Sequence, residues 1–151
     1  VINFFKTYVN KCHNPKETNI VLPQLDQEGI WHHPDTLEEL KEENKLGEFY
    51  IYTIGKVLTN TEKGMPSAEK NLITLTKKYL DMETKHIQKE EEILYEIENN
   101  QLTQIMDDKL NQKIDAFEEE AFGNKDHKLH HAMHNIVEHL NSIYCGQNTQ
   151  N

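Results

Sequence analysis

Arginine is absent from this chain, and all 16 of its basic residues are lysine. Bidentate clamps on phosphate usually rest on the arginine fork, so nucleotide and phosphoryl chemistry lose their commonest anchor. No glycine-rich phosphate loop replaces it. Cysteine is nearly missing too: Cys12 and Cys145 stand alone, without metal-type or redox-type spacing. That usage points to a reducing, cytoplasmic setting and leaves a disulfide between them open. No apolar run approaches the length of a membrane span, and no signal-peptide pattern opens the chain. Positive charge is outweighed, with 16 lysines against 26 acids and a formal net charge of -10. Nucleic acid and anionic membranes are therefore not expected as partners.

Sustained strand alternation is lacking as well, and helical periodicity fills the space. The expected fold is all-α. A first helix runs from the start to about Asp26, with Gly29 as its stop signal. His32, His33 and Pro34 open a second, running to about Leu58 on the stripe Leu37, Leu40, Asn44, Gly47, Ile51, Ile54 and Leu58. After a polar loop, Ser67 caps a third helix over 67–99. Thr103 caps a fourth, with Met106, Leu110, Ile114, Phe117 and Ala121 inward and Gly123 at its end. A fifth spans about 126–145. The short loops imply an antiparallel up-and-down helix bundle. A core over 1–100 and a C-terminal helical hairpin over 101–151 make up the 151 residues. Because Val1 falls inside a running amphipathic pattern, the core is expected to lack a first helix. The last two helices or a partner chain would then supply the fourth wall.

One short pattern occurs twice: His13-Asn-Pro-Lys16-Glu17-Thr-Asn-Ile20 and His86-Ile-Gln-Lys89-Glu90-Glu-Glu-Ile93. Imidazole and carboxylate stand four apart, so on a helix both project from one face and can hold a metal together. Nine histidines among so many acids supply about one or two such pairs by chance, the ordinary risk of a short motif. His134 with Glu138 is one without the lysine. The surroundings of His86 carry more weight. Leu72, Leu75, Tyr79, Met82, Glu90, Ile93 and Ile97 share its sector, while Lys77, Asp81, Lys85, Glu91 and Glu92 face away. Unpaired charge in a core-facing stripe costs several kcal/mol, and a second pair with metal between them would offset it. Pro15, between His13 and Glu17, removes a backbone hydrogen bond and predicts a kink or π-bulge there.

The stretch Cys12-His13-Asn-Pro-Lys16-Glu17, then Leu22-Pro23-Gln-Leu25 and Gly29-Ile30, resembles the second helix of hemerythrin-like (HHE) cation-binding domains. His86-Ile-Gln-Lys-Glu90 with Ile93-Leu94 resembles their fourth. The likeness reaches to about residue 100 and is nearest the branch that includes iron-sulfur cluster repair proteins. It implies His13 and His86 as terminal metal ligands and Glu17 and Glu90 as carboxylates bridging a di-iron centre. A single metal, or none, is the leaner outcome. The family's third helix carries a Glu-His pair, and here Glu43-Asn44 stands in its place. Asn44 reads as a lost ligand, since an amide serves iron poorly, and Glu43 as a further candidate.

What the resemblance implies is binding or sensing of dioxygen, nitric oxide or iron. A degenerate bundle acting as a regulatory or interaction module is the alternative, and a homo-oligomer or protein partner is compatible with both. Catalysis is left open. His127, His130, His131 and His134 form a stripe opposite the apolar face of Leu129, Met133, Ile136, Leu140 and Ile143. That places them on a solvated face, ahead of an interaction surface, an adventitious metal surface or a replacement for the missing core histidine. His32 and His33 are assigned to the helix start, and Tyr79 to core packing ahead of a hydrogen bond toward the centre.

Overall fold

A computed structural model describes residues 1–30, 33–99, 103–122 and 126–145. These form five helices, with no strand among the described residues. The first, α1, covers residues 2–27 and changes register along its length. Ile2–Phe4 is α-helical, Phe5–His13 π-helical, Asn14–Lys16 α-helical, Glu17–Val21 π-helical and Leu22–Gln27 α-helical. The amide of Asn14 donates to Val9 and that of Leu22 to Glu17, five residues back in both cases. Each π stretch ends two residues before a proline, Pro15 and Pro23. Proline has no amide to donate and its ring collides with the carbonyl four residues back, so a ladder already shifted to the wider register tolerates it without breaking the helix.

Gly29, at φ +68°, ends α1. Its amide bonds to Asp26 and that of Ile30 to Leu25, the two bonds of a Schellman closure. Helix α2, Pro34–Glu62, ends the same way at Gly64 (φ +68°), with Gly64 bonding to Thr61 and Met65 to Asn60. Helix α3 is Ala68–Asn99. Ser67 precedes it as expected, but at φ +64° rather than in the extended range usual for a cap. Helix α4 is Gln104–Phe122, and Thr103 accepts the Met106 amide at 3.4 Å through its Oγ1. Helix α5 is Asp126–Tyr144.

α2 runs antiparallel to α3, since Glu39, Glu43 and Gly47 meet Lys89, His86 and Met82 in turn. α1 is antiparallel to α2, with Glu17 beside Asn44 and Ile2 beside Gly55. Opposite α2, helix α4 lies antiparallel along α1: Glu118 pairs with Lys16, and Lys113 donates to Gln24. Met106 of α4 also packs on the core.

The expected stripes are found. Leu40, Gly47, Ile51 and Ile54 are buried on α2, and Tyr79, His86 and Ile93 on α3, although Leu58 is exposed at the end of its stripe. On α3, Lys77, Asp81, Lys85, Glu91 and Glu92 all face solvent. Apolar side chains gather in two clusters. One joins Leu22, Leu25, Ile30, Leu40 and Ile93; the other joins Ile51, Ile54 and Tyr79, with Ile2, Phe5 and Met82 against them. Between them lies a polar layer containing Glu17, Glu43, Asn44, His86 and Glu90. His32, Gly123 and the side chains of Ala121, Leu129, Met133, His127, His130, His131 and His134 lie outside the described residues. On α5, Ile136 and Leu140 are half-buried, while Ile143, Glu138 and His139 are exposed.

Left-handed backbone favours glycine and costs other residues about 1–2 kcal/mol. Ser67→Gly is therefore expected to stabilise the protein by up to about 1 kcal/mol, with Gly29→Ala destabilising it by a similar amount. Denaturant titration of both variants checks this; unchanged midpoints in both would contradict it.

Candidate metal centre

The two sequence repeats meet in the polar layer. From α3, His86 is 4 % exposed, and its ring is held at both ends. Nε2 lies 3.2 Å from Glu90 Oε1, one turn along the same helix. Nδ1 lies 3.0 Å from Glu43 Oε2 on α2. From α1, His13 Nε2 stands 3.9 Å from the same Glu90 oxygen, so two imidazoles from different helices converge on one carboxylate. Glu17, one turn beyond His13, completes a triad: one donor atom each of His13, Glu17 and Glu90 lies within 4.8 Å of the others.

His13 is less enclosed than the repeat suggested. Its side chain is half exposed, against 5 % for His86, because it borders a cleft between α1, α3 and α4. That cleft holds about 270 Å³ and is walled mainly by Val21, Leu22, Leu25, Ile93, Ile97 and Ile114.

Glu43 occupies a different place from the other four candidates. Both its oxygens are engaged, one with His86 and the other with Lys89 Nζ at 2.6 Å. It stands behind His86, orienting the ring so that Nε2 faces Glu90. Metal-bound histidines are held this way by carboxylates on the far nitrogen. Asn44 Nδ2 donates to Glu17 Oε2 at 3.2 Å, so the amide in the expected histidine position braces a candidate ligand.

The lysine in each repeat has a role that spacing alone did not reveal. Lys16 ties α1 to α4 through Glu118, and Lys89 ties α3 to α2 through Glu39 and Glu43. The signal lay in their repetition just before the inward glutamate, at the border of the buried stripe. His33, at the start of α2, has no side-chain capping bond and pairs with Glu96 of α3 at 3.3 Å. Tyr79 packs in the core, its ring edge-on to Phe5 at 5.6 Å, and it interacts with Glu83. Cys12 is buried, Cys145 exposed, and both are free thiols.

The electrostatics separate the two carboxylates. Burial, reinforced by the Glu90 charge, pushes Glu17 up to about 7. Burial acts on Glu90 in the same direction, but the neighbouring imidazoles of His13 and His86 outweigh it and hold Glu90 down at about 2. Burial disfavours the His86 imidazolium, yet Glu90 and Glu43 raise it to about 9. His13 is raised chiefly by Glu90.

Two buried oxygens, Glu17 Oε1 and Glu90 Oε1, nevertheless accept no well-directed hydrogen bond. Buried carboxylate oxygens without donors are costly, and a cation is one remedy. An imidazole and carboxylate donor set suits a first-row transition metal. Metals of this kind hold such ligands at about 2.0–2.2 Å, so donors on opposite sides sit up to about 4.4 Å apart. The donor atoms of the triad all lie within 4.8 Å of one another, near that range. Comparison with protein-family models, with curated proteins and with solved structures gives no match. Among the described residues, no helix is long and apolar enough to cross a membrane.

The metal-free protein should be most stable in mildly acid solution. Glu17, raised from 4.5, contributes fully below pH 4.5 and loses that contribution as pH rises to about 7. His86, raised from 6.5, loses its contribution between pH 6.5 and about 9. Glu90, lowered from 4.5, contributes above that value and fails as pH falls toward 2. Denaturation midpoints in chelator should decline from pH 6.5 to 9; a rise over that window would contradict the pairing of His86 with Glu43 and Glu90.

Proposed function

We propose that this chain is a non-haem metal-binding protein of hemerythrin-like architecture, built as an antiparallel bundle around the polar layer. The observation that carries this is the meeting of two His-x-x-x-Glu pairs at buried carboxylate oxygens that accept no well-directed hydrogen bond. His13, Glu17, His86 and Glu90 are the ligands, and Glu43 orients His86. Iron is the metal the resemblance to hemerythrin-like domains implies, and these four residues would hold it as a pair or as a single ion.

When bound, a redox-active metal with a vacant coordination position supplies binding of dioxygen or nitric oxide and electron exchange with it. The chain's own groups prepare that position. Lys89 neutralises Glu43 and fixes it behind His86. The apolar clusters flank the carboxylates on either side, and the cleft beside His13 leaves an approach. Sensing of iron or of a diatomic gas, linked to iron-sulfur cluster repair, is the biological setting this reading favours.

The bond from Asn44 to Glu17 favours a second reading. An amide that already satisfies one ligand oxygen, beside a self-paired His86, Glu43 and Lys89, suits a bundle that keeps its polar layer as an interaction or regulatory module. In that case Glu17→Ala and Glu90→Ala leave metal content unchanged.

Anaerobic loading with ferrous iron, followed by desalting, separates the two. The proposal expects at least one iron retained per chain, lost in both alanine variants. It also expects proton release on binding at pH 7, since Glu17 and His86 must give up protons to become ligands. Retention of no stoichiometric metal would contradict it.

A further inference from the structure

We propose that the cleft between α1, α3 and α4 is a binding site for a neutral, unbranched aliphatic molecule of medium chain length, its polar end toward Glu17 and Glu90. The inference goes beyond metal binding and does not depend on it, because the cleft is formed by the metal-free chain.

Size is the first argument. A diatomic ligand needs a small fraction of about 270 Å³. An apolar cavity of about 150 Å³ is already enough to hold a benzene ring. Room of this extent beside the candidate centre is suited to an organic molecule.

Lining is the second. Val21, Leu22 and Leu25 of α1, Ile93 and Ile97 of α3, and Ile114 of α4 make three aliphatic walls. Water inside would find few partners along them, and water is retained only where polar groups hold it. Pockets with a largely apolar lining and a few polar groups at one end are the usual form of small-molecule sites.

Shape is the third. Along α3 the wall runs from Glu90 to Ile97, a distance of about 10 Å at 1.5 Å per helical residue. A slot about two turns long, opening past the exposed Leu94, matches a chain better than a compact ring system. At its polar end Lys16 is already paired with Glu118, His13 stands beside Glu90 and Glu17 accepts from Asn44, so the charged groups there are engaged with other partners. That end favours neither an anionic nor a cationic head, so a hydroxyl or similar neutral group fits it best.

Calorimetric titration of the metal-free protein with 1-octanol tests this, with octanoate and octylamine as parallel arms. Saturable binding of one octanol per chain is expected, weaker for both charged analogues. Ile114→Trp and Ile97→Phe, which fill the slot from two different helices, should each weaken it by about tenfold or more while circular dichroism stays helical. Iron retention is measured separately on the same variants and should be unchanged, so failure of the metal reading is distinguishable from failure of this one. No saturable uptake by the parent chain, equal affinity in folded variants, or tighter binding of a charged analogue would overturn the proposal.

Discussion

The molecule is arranged around two carboxylates, Glu17 and Glu90, held between apolar clusters with one oxygen of each buried. Ionised groups in such a layer cost several kcal/mol unless paired. The fold answers with two imidazoles, an amide and a lysine-backed third carboxylate, each from a chosen helix. The answer is incomplete, because one oxygen on each carboxylate accepts no well-directed hydrogen bond. That deficit is the observation on which the proposed metal site rests.

The helix that brings Glu17 into this layer is itself unusual. π-helical stretches are rare and concentrate at functional sites. Here two of them flank the short α-helical Asn14–Lys16 segment between His13 and Glu17. The wider register absorbs Pro15 and Pro23 while leaving His13 and Glu17 on the side that meets α3. Local irregularity is thus tied to the placement of His13 and Glu17, and the two apolar clusters above and below hold the irregular helix in position. Lys16 and Glu118 then bring α4 against the same helix.

Much of this was readable from residue order. The inward stripes of α2 and α3, the stop at Gly29, the cap at Thr103 and the disturbance at Pro15 all follow from local chemistry, which the sequence displays directly. The convergence of His13, Glu17, His86 and Glu90 was legible because a repeated pattern on two amphipathic helices has one common interior to face. Partner choice across helices was not. Nothing in the spacing of Glu43 says that both its oxygens are taken by His86 and Lys89, or that Lys16 reaches Glu118 more than a hundred residues away. Nor does periodicity reveal that His13 borders an open cleft, since exposure depends on how closely α4 approaches. Ser67 shows the same limit in the backbone: a cap residue was foreseen, its left-handed conformation was not.

The most direct test is the identity of the atoms around a bound metal, from anomalous scattering on crystals grown with ferrous iron. The account predicts density between α1 and α3, ligated by nitrogen from His13 and His86 and oxygen from Glu17 and Glu90, with Glu43 in contact with His86 rather than the metal. Anomalous signal confined to the surface of α5, or absent from the layer, would contradict it.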